Sequence, residues 1–423
     1  MQYKKIECQN YNVHLIQNKG FHNIKISINF TEEINKKKNN YRIFLSDILV
    51  YGTKKYDKPS KLIKKCQELY SSYPSTLVVR YGKYIRTIFE LSILDSIYID
   101  KENIIESIKL LNEIVFNPLT NNKKFTSNYF DTLREELKKE TLGIKENSRV
   151  YANIKLLQLF KENDYISLTG YCDLDFLDNL NETNLYESYL EMIKNSKIDI
   201  IISGDLGDQN KIIEAIKKIV VINNSKVKLP DPEIVHDDYN KKEEYFKEKY
   251  QGVQSKISLG FKIANTTDYE RKYVLNILNV LLGGSASSLL MKYVREENNL
   301  CYYIGCYYNK LDNILVINSA IDKENYQKVI EIIKGVFDLV EKGNFSLKEL
   351  ENAKRECIIS CENLKENNHN LGEYYYGKEV FNTADVERRI EFLRKVSKED
   401  IMKVASKIKL SKCFFLEGDI SWF

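Results

Sequence analysis

The sequence predicts an α+β protein made of two homologous domains, each an antiparallel sheet with helices on one face. Three observations lead there. Short segments recur in one order along the chain at a slowly falling offset. Each half clusters its strands ahead of a block of helices, as an antiparallel sheet with helices on one side requires. The strand segments alternate apolar with small or polar side chains, the period of a half-buried strand.

The elements follow in order. Lys25-Ile26-Ser27-Ile28-Asn29-Phe30 returns 231 residues later as Lys256-Ile257-Ser258-Leu259-Gly260-Phe261. Ile48-Leu49-Val50-Tyr51-Gly52 parallels Val280-Leu281-Leu282-Gly283, an apolar helical run stopped by glycine. A strand pair follows in each half, 76–82 with 85–94 and 300–309 with 313–320. Asp100-Lys101-Glu102-Asn103 returns as Asp322-Lys323-Glu324-Asn325 and opens a helix each time. Phe125-Thr126 and Phe345-Ser346 start a further helix, with the hydroxyl residue as N-cap. Gly204-Asp205-Leu206 and Gly418-Asp419-Ile420 close the halves behind apolar strands at 198–203 and 413–417. Five matches in one order place an N-terminal domain at 1–222, a linker at 223–242 containing Pro230 and Pro232, and a C-terminal domain at 243–423.

Composition excludes several function classes. Lys+Arg 64 against Asp+Glu 60 leaves +4 over 423 residues, too weak a field for nucleic acid. No run of eighteen uncharged apolar residues could span a membrane, and the first residues lack a secretory pattern. The eight cysteines contain no C-x-x-C, so neither a zinc ribbon nor a redox pair is indicated, and a reduced, cytoplasmic protein is expected.

The second half carries Gly283-Gly284-Ser285-Ala286-Ser287-Ser288-Leu289, then Val294-Arg295-Glu296, then Leu300-Cys301-Tyr302. This resembles the G-G-x-x-S-x-L, R-E and L-x-Y segment of the pitrilysin/insulinase family of zinc peptidases, which includes the mitochondrial processing peptidase. The resemblance runs through essentially the whole chain and is strongest to short bacterial members, whose two repeated domains form half of a clamshell. In that family the arginine and tyrosine reach the substrate peptide beside the zinc and help to hold its carbonyl oxygen. The resemblance therefore implies substrate-binding roles for Arg295, Tyr302, Gly283, Gly284 and Ser285. A guanidinium and a phenol are suitable donors to a developing oxyanion. In the first half, Ile48-Leu49-Val50-Tyr51-Gly52-Thr53 resembles the M-L-F-x-G-T that follows the family's zinc motif, H-x-x-E-H. Here Ile43-Phe44-Leu45-Ser46-Asp47 stands at that motif, and both histidines and the glutamate are absent. A catalytic zinc needs about three protein ligands and an open position for water. Ile43 cannot bind a metal, Ser46 is too weak a base, and Asp47 alone is no zinc site. The family's third ligand, a glutamate, would fall near Glu135, Glu136 or Glu140. No catalytic residue, metal or cofactor is expected in this chain.

Other features have plainer readings. Gly283-Gly284-Ser285 follows a helix and lacks G-K-[ST], so it reads as a helix–helix turn rather than a phosphate loop. Cys301, Cys306, Cys357 and Cys361 read as small buried hydrophobes. His236-Asp237-Asp238 reads as a hydrated turn, and Lys36-Lys37-Lys38 as a solvated loop. The function implied is that of a non-catalytic subunit of a heterodimeric zinc metallopeptidase. It would shape the chamber and bind extended peptide substrate beside the zinc of a homologous partner. The alternative is a non-enzymatic scaffold or peptide-binding protein. The core subunits of the respiratory cytochrome bc1 complex are such a case, and related bacterial pairs are associated with elongation factor P tailoring or peptide maturation.

Overall fold

The computed structural model describes residues 2–95, 97–98, 102–160, 165–222, 226–229 and 242–419. Most of the expected linker at 223–242 lies outside the described residues, with Pro230, Pro232 and His236-Asp237-Asp238. Along the first half run β1 (Gln2–Glu7), β2 (Asn12–Gln17), β3 (Asn23–Glu33), α1 (Lys36–Ile48), β4 (Pro74–Tyr81) and β5 (Tyr84–Leu94). Then come α2 (Ser127–Gly143), α3 (Ser148–Gln158) and β6 (Lys197–Gly204). The second half contains β7 (Glu244–Tyr250), β8 (Ser255–Ile263), β9 (Cys301–Asn309) and β10 (Ile314–Ile321). It continues with α4 (Leu347–Glu362), α5 (Asn368–Phe381), α6 (Val386–Lys395) and β11 (Ile408–Gly418). Between β8 and β9 a continuous helix at 270–284 holds an α-helical centre, Leu275–Asn279, between two π-helical stretches.

Two compact units result. One comprises Met1–Leu142, Leu168–Pro232 and Leu364–Thr383; the other takes Gly143–Ser167, Glu233–Asn363 and Ala384–Phe423. Each unit therefore contains one short segment from the opposite half of the sequence, whereas the repeat suggested contiguous domains.

In the first unit the strand order is β1-β2-β6-β3-β5-β4. Ile24, Ile26, Ile28 and Phe30 of β3 point to one face and pack with Phe89 and Leu91 of β5, Phe44 of α1 and Phe130 of α2. The alternate residues Ser27, Asn29 and Thr31 are buried too, although polar, because α5 covers the second face. There Arg86 bonds Glu373 at 2.7 Å, its guanidinium lies 3.5 Å from the centre of the Tyr376 ring, and it donates to Asn29 Oδ1. Asn368 Nδ2 donates to the carbonyls of Asn23 and Ser203. Burial drives the Asp199 carboxyl upward, but His14 at 3.0 Å and Lys197 outweigh it and hold the group well below the ordinary carboxylate range.

The second unit has strand order β9-β10-β8-β11-β7. Here the added helix is α3, whose Tyr151, Ala152 and Leu156 pack with Phe160 on Ile314, Val316, Phe414 and Leu416. Gly260 makes this possible: a Cβ there would lie 2.6 Å from Phe160 Cζ.

The α+β class is as the sequence predicts, with three differences of detail. Each sheet holds one parallel pair, β2 with β6 and β11 with β7, so the sheets are mixed rather than wholly antiparallel. Helices lie on both faces, since α5 covers the polar second side of the first sheet and α3 the apolar second side of the other. Lys36-Lys37-Lys38 form the first turn of α1, because Asn35 caps it by accepting from Lys38 N at 2.8 Å, and the lysine run is not a loop.

Candidate functional site: a metal-site remnant

Helix α1 places the three positions where zinc peptidases carry their motif. Ile43 faces inward and joins the core. Ser46 is buried, and its hydroxyl donates to the Ile43 carbonyl at 2.7 Å, so it is spent on its own helix. Asp47 faces a cleft of about 550 Å³ with Val50, Tyr51, Leu133, Glu136 and Glu140. Burial raises the Asp47 carboxyl, Glu140 and Glu136 add to the rise, and the group is pushed up to about 6. Tyr51 donates to Glu136 Oε2 at 3.1 Å.

The cleft has the outline of a metal site without its donors. Of the three glutamates at which the resemblance would place the third ligand, Glu136 and Glu140 line the cleft with Asp47, whereas Glu135 pairs with Lys138 at 3.3 Å. The three described imidazoles are elsewhere. His14 bonds Asp199 and Tyr3, His22 lies 3.1 Å from the Tyr98 hydroxyl, and His369 bonds Lys25. Among the described residues no group of three or more His, Cys, Asp or Glu could hold a metal ion. Isoleucine has no donor atom, the Ser46 hydroxyl is bonded to its own helix, and one carboxylate is too few, so Ile43, Ser46 and Asp47 do not fit zinc.

The second-half residues divide by environment. Arg295 ends the helical turn Met291–Glu296, is exposed, and its guanidinium pairs with no acid among the described residues. Asn299, at φ +50°, turns the chain into β9. The ladder between β9 and β10 shifts register between Cys301 and Tyr303, so Tyr302 is the extra residue of a bulge and stands 48% exposed. Its hydroxyl donates to Asp322 Oδ1 at 3.3 Å, and it makes no bond to Arg295 among the described residues. Gly283 is buried, and a Cβ on it would meet Cys306 Cβ at 2.7 Å, so its smallness lets the helix at 270–284 lie against β9. Gly284 is exposed at the helix end, and Ser285 Oγ lies 3.4 Å from Ser287 Oγ. Tyr51 was not among the residues the motif singled out, although it adjoins Gly52 in the same segment. The eight cysteines are free thiols, with Cys357 and Cys361 buried on α4.

Fold and site together give a duplicated α+β scaffold whose helix α1 offers isoleucine, serine and aspartate where the resemblance would place a zinc motif. Comparison with known proteins agrees. The profile of the peptidase M16 inactive domain matches residues 179–357. A "Probable inactive metalloprotease YmfF" of Bacillus subtilis is 27% identical over 96% of this chain and 95% of its own length. An "Uncharacterized zinc protease YmxG" of the same organism is 33% identical over 26% of this chain and 27% of its own. In structure, a conserved protein from Enterococcus faecalis covers 99% of both chains at a TM-score of 0.90 and 21% identity. The chain is thus similar over nearly its whole length to a probable inactive metalloprotease, and its middle part matches the peptidase M16 inactive domain.

Proposed function

We propose that this chain is the non-catalytic subunit of a two-chain metallopeptidase, in which a homologous partner supplies the metal, the base and the water. The observation that carries the reading is an asymmetry. Helix α1 has no imidazole, while the second unit keeps Arg295 and Tyr302 exposed, Tyr302 with its hydroxyl on Asp322. Arg295 and Tyr302 would donate to the scissile carbonyl oxygen as charge builds on it. An extended peptide would add to an open sheet edge through main-chain hydrogen bonds. The outer edge of β9 is one such edge, and its Tyr302 and Tyr307 are exposed. Bacillus subtilis has both an inactive relative and a zinc-protease relative of this chain, which supports a pairing of the two kinds. Eight free thiols favour a reducing compartment, and we place the pair in the cytoplasm.

Co-purification with an H-x-x-E-H homologue from the same genome tests the pairing. The joint preparation should cleave peptides, and Arg295→Ala with Tyr302→Phe should lower kcat/KM by about a hundredfold or more, the scale of losing an oxyanion donor. Full activity in that double variant would remove the role assigned to the two residues. Failure to pair at all would favour a stand-alone scaffold or peptide-binding protein.

A further inference from the structure

The second unit holds a cleft that is the repeat mate of the acidic one. The offset of 220 that carries Phe125 onto Phe345 also carries Glu136 onto Glu356 and Glu140 onto Ser360. Both of the latter line a cleft of about 420 Å³ between the helix at 270–284, α4 and α6. Its charge is reversed. Lys272 and Arg389 line it, both half-buried. Lys310, just past the end of β9, is half-buried close to them: burial, and then Lys272 and Arg389, lower its ammonium to about 8.

The compensating acids are few. Asp268 bonds Lys272 at 3.0 Å and also pairs with Arg271, and it is largely exposed. Glu356 stands at the exposed rim. Neither Lys310 nor Arg389 has an ion pair with another described residue. Beneath them, Arg271 is buried with its Nε unbonded, and the buried Tyr308 hydroxyl also lacks a partner. Lys272 and Arg389 in the half-buried cleft, with Lys310 close by, repel one another, and an oxyanion between Lys272 and Arg389 would make charge-assisted hydrogen bonds to the ammonium and guanidinium groups. The wall formed by Tyr273, Val280 and Leu393 is apolar and suits a hydrocarbon body.

We propose that this cleft binds a small organic oxyanion, its phosphate or carboxylate head held by Lys272 and Arg389 with Lys310 adding to the positive field, and its apolar body lying against Tyr273, Val280 and Leu393. This is independent of the peptidase pairing, since it concerns the isolated chain.

The test uses the full-length protein with two probes, phenyl phosphate and hippurate, by calorimetric titration and thermal melting, with sodium chloride at matched ionic strength as control. At least one probe should bind saturably and raise Tm beyond the chloride control. Lys310→Met and Arg389→Gln should each weaken that binding at least about tenfold. Lys310→Met should also raise Tm without ligand, because it relieves crowding among the cations, so a loss of binding there cannot be mistaken for misfolding. Asp47→Asn, in the other cleft, should bind as the unmodified chain does. The proposal is overturned if neither probe binds saturably, if chloride reproduces the whole shift, or if both cleft variants keep full affinity.

Discussion

Asp47 shows how burial and like charge act on one side chain. With cations around it the carboxylate would be easy to ionise; here burial and the neighbouring Glu140 and Glu136 push it up to about 6. A raised acid destabilises the fold once it ionises. Below about pH 4 Asp47 is protonated in both states and has no effect on stability. Between about 4 and 6 the unfolded chain releases the proton and the folded chain keeps it, so stability falls as pH rises; above 6 the deficit is constant. Discounted for partial exposure, the deficit at pH 8 is about 1–2 kcal/mol. Asp47→Asn should therefore raise Tm by a few degrees at pH 8 and hardly at all at pH 4. Melting curves at the two pH values decide it, and equal shifts at both would mean that charge is not what the cleft resists.

Among elements, the tightest constraint is the crossing of the helix at 270–284 over β9. Gly283→Ala would drive a methyl group to 2.7 Å from Cys306 Cβ and 3.0 Å from the Cys306 amide, and the strand backbone cannot yield as a long side chain could. Urea denaturation should show a loss of about 1–3 kcal/mol; no loss would mean that the helix slides freely on the sheet. Elements with one apolar face were legible in the sequence. β3, β5, β8 and the β9–β10 hairpin fall where alternation put them, and Ser346 caps α4 in a capping box with Glu349. Elements without such a face were not. β1 and β7 are strongly charged edge strands, and the parallel pairing of β2 with β6 joins residues far apart in sequence, beyond any local pattern. Helix α5 was hidden because its buried side, Asn368, Gly372, Tyr375 and Tyr376, is polar and aromatic and meets a polar sheet face. At the site, the missing imidazoles were plain from the motif. The basic cleft was not, because Lys272, Lys310 and Arg389 come from three separate elements and share no spacing.

For the molecule as a whole, the exchange of α3 and α5 between the halves means that neither half of the sequence contains everything its sheet needs. Residues 1–222 carry all six strands of the first sheet but lack α5. Arg86 would then lose Glu373 and Tyr376, and the backbone carbonyls of Asn23 and Ser203 would lose Asn368. Arg86 is 1% exposed in the folded chain, and a buried charge stripped of its partner is strongly destabilising. Residues 243–423 lack α3 and Phe160, leaving Ile314, Val316, Phe414 and Leu416 uncovered. Each fragment made alone should accordingly show secondary structure by far-ultraviolet circular dichroism but bind a hydrophobic dye and melt without a sharp transition, the behaviour of a compact state that lacks fixed packing. Appending residues 364–383 to the first fragment through a flexible linker should restore a cooperative melt, since the helix supplies the missing partners. A sharp, dye-free transition in 1–222 alone would show that the polar face is satisfied by water, and that α5 is an ornament of the first unit rather than part of its core.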